Sequence, residues 1–407
     1  SLVKINFPTQ IKTIWDFAFG NCVALNEITI TENVESIRNS AFSGCTNLKT
    51  INILNGSSIL ELGYNRVEND YCYPMFEDCP IETIFIGRNI KSNSRDRSYN
   101  RLGCFANNKS IRTVVFGDNV TSIEQSAFKG CTSLNSIIIP RNITSIGDWA
   151  FYNSGLKDLV FESGSEVLKF ELKVGSWDYK TPHTFQYCNI SSISLGRNIV
   201  ISGGSQNPSY GGNPSTFFPT TLKSLMIGDQ VHNLECILLS SQKITSSLQH
   251  YPDLETIRFG ANCATIPDLK NNNMLSNLST TSTIPPTVAP FSDSQYMDLI
   301  VEVPSGAKTA YEGAVIWKNF WELRENDTLL TNIEYDGLLY QIMPENSLEV
   351  IKKKQSYTGD IIIPENIIFN NTEYMVTSIG ESFSVCRELT SVSIPTSVVE
   401  LSNKCFY

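Results

Sequence analysis

The chain has 407 residues, with 41 acidic against 31 basic side chains and a formal net charge of −10. That length exceeds what one compact core usually holds and points to several domains or an open-ended repeat, while the acidic balance and the lack of a long basic run exclude nucleic acid as a partner. Apolar runs such as Ile137-Ile138-Ile139 and Ile361-Ile362-Ile363 fall far short of the ~20 residues that span a bilayer, so the segment reads as soluble, without membrane insertion.

A repeated pattern is under way at Leu2 and breaks off at Tyr407, with no charged-then-apolar leader at Ser1. The chain therefore reads as an excerpt of a longer polypeptide in which no signal peptide is visible. The unit is AFxxCxxLxxIxI, then a polar turn, then VxxI. Its cleanest copies begin at Ala18-Phe19, Ala41-Phe42, Ala127-Phe128 and Ala150-Phe151, and the phenylalanines recur every 23 residues from Phe19 to Phe42, from Phe105 through Phe128 to Phe151, and from Phe383 to Phe406.

The LxxIxI part alternates apolar and polar residues at its end, which predicts a short strand with one buried face. In chain order it occurs at Leu2-Ile5-Phe7, Leu25-Ile28-Ile30, Leu48-Ile51-Ile53, Ile81-Ile84-Ile86, Ile111-Val114-Phe116, Leu134-Ile137-Ile139, Leu156-Leu159-Phe161, Ile190-Ile193-Leu195, Leu222-Leu225-Ile227, Leu254-Ile257-Phe259 and Leu389-Val392-Ile394. One such strand cannot bury its face alone, so neighbours must stack into a parallel sheet with a continuous core. The phenylalanine is expected on the opposite wall, and VxxI pieces such as Val34-Ile37 and Val120-Ile123 add apolar residues between the two.

Of the 11 cysteines, Cys22, Cys45, Cys79, Cys131, Cys188 and Cys386 each lie three residues after a phenylalanine, and Cys104 and Cys405 just before one. One residue type at one slot is most simply a buried apolar group stacked along the axis. A disulfide ladder is the alternative, disfavoured because stacked side chains run parallel instead of converging. Cys72, Cys236 and Cys263 lie outside these slots.

Taken together, these residues resemble the BspA-like leucine-rich repeats of bacterial surface proteins, with Ile139-Pro140 and Ile394-Pro395 matching the turn of that consensus. The resemblance implies a right-handed solenoid, mainly β, with a parallel sheet. Leu275 to Leu278, Pro285-Pro286, Val303-Pro304, Ala310-Tyr311 and Trp317 to Phe320 look like the segment that closes such arrays. Beyond Trp321, Ile333 to Ile342, Leu348 to Ile351 and Ile361 to Ile363 alternate like hairpin strands and lead into Phe383. The expected domains are thus residues 1–325, an array with a closing cap over about 270–325, and residues 326–407, a β-hairpin opening cap with the first repeats of a second array.

Two departures from the plain repeat mark where a partner is expected. Insertions lie after a strand and before the next phenylalanine, which places them on one side of the solenoid. They carry Tyr64, Tyr71, Tyr73, Tyr99, Trp177, Tyr179 and Tyr210, aromatics that either contact a ligand or pack their own loops. The second departure is the outward strand position: it reads Asn6, Thr29, Asn52, Phe85, Val115, Ile138, Val160, Ser194, Met226 and Arg258. Phe85, Val115, Ile138 and Val160 are consecutive, forming an apolar ridge about three strand spacings long, ~4.8 Å each. A patch of this kind marks an interaction site, unless β-propensity or a covering loop accounts for it.

Chemistry is poorly represented. His183, His232 and His250 make no HExxH spacing, no GxSxG serine or CxxC pair is present, and the stretch from Gly203-Gly204 to Gly211-Gly212 lacks a phosphate-binding lysine pattern. No enzyme, cofactor or metal is expected. The resemblance implies an extracellular or surface-displayed adhesion protein with a protein partner on a host or neighbouring cell; glycan capture by the inserted aromatics and a purely structural spacer are the other readings.

Overall fold

Ten of the eleven LxxIxI segments form strands in the computed structural model, the exception being Leu2-Ile5-Phe7, which joins no ladder and stays irregular. The structure describes residues 2–63, 75–76, 78–92, 103–171, 183–202, 217–240, 243–244, 246–326, 332–343, 347–352, 356–369, 372–384, 386–402 and 405–406. Most of them show the buried-outward-buried alternation that the sequence requires, as in Glu27–Ile30, Ser136–Ile139 and Asp158–Phe161. Each pairs in parallel with the strand one coil away, so every apolar face closes on its neighbours. The VxxI pieces make a second wall of short parallel strands, among them Ser36–Ile37, Leu60–Leu62 and Ile90–Ser92.

The core is continuous while the sheet around it is interrupted once. The strand face is split into a four-stranded sheet ending at Thr113–Asn119 and an eight-stranded sheet beginning at Ser136–Ile139. The second wall is also split, between Ile90–Ser92 and Ser122–Ile123. Across this seam asparagine side chains replace the ladder. The Asn89 Oδ1 accepts from the backbone N–H groups of Thr121 and Ser122 at 2.8 and 3.1 Å, and the Asn142 side-chain amide donates to the carbonyls of Gly117, Asp118 and Val120.

The third wall carries the phenylalanines, which run through the seam uninterrupted. Phe19, Phe42, Phe76, Phe105, Phe128, Phe151 and Phe185 stack with ring centroids 5.3–5.9 Å apart and planes within 16° of parallel. The cysteines accompany them. Sγ of Cys45, Cys79, Cys131 and Cys188 donates to the carbonyl of the preceding coil's phenylalanine at 3.0–3.2 Å. All nine cysteines whose state is described are free thiols. The slot therefore asks for a small group that is apolar yet can donate one hydrogen bond, which a thiol supplies.

Two buried arginines tie coils that are not adjacent. Arg88 donates from Nη1 to the Glu32 carbonyl and Ser58 Oγ, and from Nη2 to the carbonyls of Thr31 and Val34, at 2.7–2.9 Å. Arg197 repeats this 109 residues on, donating to the carbonyls of Pro140 and Arg141. Both stand in the tripeptide Gly-Arg-Asn, and the asparagine of each, Asn89 or Asn198, reaches forward to the next coil.

The main core runs from Ile14 to Leu323. At its far end the strands Ile300–Pro304 and Glu322–Asn326 complete the eight-stranded sheet. They are backed by Phe291, Tyr296, Tyr311, Trp317 and Phe320 in mutual edge contacts. Trp317 Nε1 donates to the Pro286 carbonyl and Tyr311 Oη to that of Ser282. A second, separate core runs from Leu338 to Cys405. Here Asn332–Tyr335 and Leu338–Met343 form an antiparallel hairpin, Ser347–Ile351 adds a third antiparallel strand, and the Phe383 and Phe406 rings stack at 5.3 Å.

Candidate binding surface

The strand register lines up the outward side chains in two rows. In the four-stranded sheet Thr29, Asn52, Phe85 and Val115 are direct partners. In the eight-stranded sheet the row is Ile138, Val160, Ser194, Met226, Arg258, Ser279, Glu302 and Arg324. The four ridge residues thus form two paired steps, Phe85 with Val115 and Ile138 with Val160, on either side of the seam. Val115 is 41 % exposed, while Phe85, Ile138 and Val160 are half-buried.

Another part of the same chain faces three of these residues. Val115 and Ile138 line a cleft of about 420 Å³ whose opposite wall is Tyr357, Ile361, Arg387 and Glu388 of the second unit. Phe85 and Asn52 line a neighbouring cleft of about 400 Å³ closed by Thr358, Gly359 and Thr390. Beside them Arg141 Nη1 lies 3.1 Å from the Asp336 carboxylate at the tip of the hairpin. Residues of the second unit therefore face the ridge, a placement that no periodicity in the first array announces.

The inserted aromatics Tyr64, Tyr71, Tyr73, Tyr99, Trp177, Tyr179 and Tyr210 lie outside the described residues. A different aromatic group, not singled out in the sequence, sits in the turns that flank the phenylalanine row. Trp149 and Tyr152 are 6.1 Å apart, Tyr187 meets Tyr152 edge-on at 5.2 Å, and the Lys129 ammonium lies over both Trp149 and Tyr152. Trp149 and Tyr187 occupy left-handed backbone at φ of 61° each. The equivalent slot of Tyr187 in other coils holds Asn21, Gly44, Asp78, Asn107, Gly130 and Asn153, residues that accept this conformation readily.

Burial perturbs several thiols and two of the histidines. Burial pushes the thiols of Cys79 and Cys131 up to about 12 and that of Cys263 up to about 11, so little nucleophilic thiolate exists at neutral pH. Burial also lowers the pKa of His183, with the nearby Asp148 carboxylate opposing, and that of His250, whose Nε2 lies 2.9 Å from the Ile237 carbonyl. Among the described residues no cluster of three metal-ligating side chains occurs and no helix is long and apolar enough to cross a membrane.

The sequence model described as "BspA type Leucine rich repeat region" matches residues 1–101, 99–172 and 346–407, in six copies. No curated protein matches the chain. A leucine-rich repeat protein from Bacteroides ovatus is 16% identical, with 97% of this chain and 79% of that one covered and a TM-score of 0.29. A leucine rich cell surface protein from Faecalibacterium prausnitzii is 17% identical, with 81% and 88% covered and a TM-score of 0.24. The pneumococcal vaccine antigen PcpA is 13% identical, with 78% and 72% covered and a TM-score of 0.26.

Proposed function

Because the chain belongs to the BspA-type leucine-rich-repeat family, we propose that it is a non-enzymatic binding protein, secreted or displayed at the cell surface, that adheres to a protein of a host or neighbouring cell. Its contact surface is the strand face together with the inserted loops, with Phe85, Val115, Ile138 and Val160 as the apolar part and Tyr73, Tyr99, Trp177, Tyr179 and Tyr210 as loop contacts. Residues 1–325 act as one capped array, with the cap over about 270–325, and residues 326–407 as the start of a second.

The observation that carries this reading is the in-register outward row. Stacked parallel strands hold side chains at fixed ~4.8 Å intervals on a rigid sheet, so a surface is preorganised without cost to the core, and little ordering entropy is lost on binding. The core residues are fixed by stacking, whereas the outward ones mix apolar, polar and charged types along the row from Ile138 to Arg324. The lowered pKa values of His183 and His250 and the raised thiol pKa values of Cys79, Cys131 and Cys263, all caused by burial, support a structural role for these groups.

The test is binding of the purified chain to arrays of extracellular proteins and of glycans. Saturable protein binding that is lost in the folded Val115→Asp/Ile138→Asp variant supports the proposal. Undiminished binding by that variant removes the ridge from the contact surface. A saturable glycan signal that disappears in Trp177→Ala, with no protein signal, would replace adhesion by sugar capture.

A further inference from the structure

The ridge that the proposed function uses is faced by a defined piece of the same chain, and the contact has the character of a closure and not of a core. Two pieces of the second unit reach it, a hairpin tip and the entry into the strand Gly359–Ile362. The first is the hairpin tip Asp336-Gly337, whose aspartate meets Arg141. The second is the segment 356–361, which supplies Tyr357, Thr358 and Ile361 to the cleft over Val115 and Ile138.

Both pieces place a glycine against a charged side chain of the first array. Gly337, at φ of 77°, leaves room for Arg141: a Cβ there would lie 2.2 Å from Nη1. Gly359, at φ of 70°, leaves room for Asp118: a Cβ there would lie 2.1 Å from its Oδ2. Asp118 lies near the end of Thr113–Asn119 and Arg141 just beyond Ser136–Ile139, the two strands that border the seam. The second unit therefore settles where the sheet ladder is interrupted and the apolar row is densest.

The contact is also incompletely packed. Clefts of about 420 and 400 Å³ remain between the two bodies, the cores on either side are separate, and the Arg141–Asp336 pair is 35% and 65% exposed. An ion pair that open to water contributes little, so this closure yields to a competitor that binds the ridge more tightly.

We propose that residues 336–337 and 356–361 form an intramolecular cover over the first array's strand face, which a protein partner must displace to reach Val115 and Ile138. This rests on the strand face being the contact surface, but the cover itself is measurable without any partner. A short apolar strip is shielded from casual association in the closed chain, and the affinity seen by a partner is lowered by the fraction of chains that are closed.

The experiment follows closure through the labelling rate of Ile138→Cys with a 5-kDa polyethylene-glycol maleimide. The expected result is slow labelling in the otherwise unchanged chain, about tenfold faster labelling when Asp336→Arg or Arg141→Asp sets like charges against each other, and a return to slow labelling when both are combined. As a second measurement, Asp118→Cys/Gly359→Cys should form a disulfide under mild oxidation, since Gly359 and Asp118 are in contact. Equal labelling rates in all four proteins together with no cross-link in a folded chain would overturn the cover. If closure is found while Val115→Asp/Ile138→Asp leaves protein binding intact, the cover stands and the strand face as contact surface falls.

Discussion

Arg88→Met should destabilise the first coils far more than any surface substitution, because this arginine is fully buried and ties three turns together. Methionine keeps most of the aliphatic volume and removes four hydrogen bonds, to the carbonyls of Thr31, Glu32 and Val34 and to Ser58 Oγ. The Val34 carbonyl bond is the fully buried one, and stranding that acceptor costs about 2 kcal/mol, while the three part-buried acceptors regain water and cost about 0.5–1 kcal/mol each. Removing a desolvated cation returns part of this, leaving a net loss of about 3 kcal/mol. A lysine cannot fork to several carbonyls, so Arg88→Lys should recover less than half. Urea melts give the magnitude and hydrogen exchange gives the place. In a stacked array each repeat contacts only its neighbours, so faster exchange should be confined to the coils containing residues 27–92 and spare those around Arg197. A loss below about 1 kcal/mol, or faster exchange spread evenly over both arginine sites, would refute the staple.

Three further outcomes follow from the other rows. Phe128→Ala, in the middle of the phenylalanine stack and 1 % exposed, should cost about 3–5 kcal/mol in urea melts; a cost under half of that means the neighbouring coils collapse into the space. Cys131→Val keeps the volume but removes the donor to the Phe105 carbonyl, so it should cost about 1 kcal/mol, and native Cys131 should resist alkylation at pH 8 because its thiol lies near 12; prompt labelling would contradict its placement. Acidification should weaken the fold: His183 and His250 have folded pKa values below the ordinary 6.5, the unfolded chain binds more protons there, and stability is lost as pH falls through 6.5 toward the folded values. Melts at pH 7.5 and 5.5 should show a smaller difference for His183→Gln/His250→Gln than for the parent, and an equal difference would exclude these residues as its source.

What the sequence makes legible is whatever repeats with the coil. Phe19 to Phe151, the cysteine slot and the LxxIxI strands keep one internal pattern even where insertions lengthen the coil, so their shared environment is visible without coordinates. The thiol's task was legible only in part: burial follows from periodicity, but the bond from Cys45 to the Phe19 carbonyl depends on how closely two coils approach. The seam left no trace, since Ile111-Val114-Phe116 and Leu134-Ile137-Ile139 have the same pattern on either side of it. Arg88 and Arg197 escaped notice because each reaches back over 54–57 residues, two coils instead of one, and an isolated arginine in a turn looks solvated. For the site, the outward row was legible from strand alternation, while its cover was not. Asp336 and Tyr357 belong to another unit, and nothing local in either stretch encodes their meeting.

The same physics explains why the fold is so readable and the surface so open. Stacking demands that Phe, Cys and the inward Ile and Leu positions repeat, and a coil that breaks the pattern exposes its neighbour's core. The outward row has no such constraint, so Ile138, Ser194, Met226, Arg258 and Glu302 differ in size and charge on identical backbone. An apolar run on such a row is therefore not demanded by the array and requires something to cover it. In this chain Tyr357 and Ile361 face it across a cleft, held by an exposed ion pair that contributes about 0–1 kcal/mol. A partner needs only to outcompete that contact and the modest apolar burial beside it, leaving both cores intact, so binding and opening can exchange without unfolding either unit.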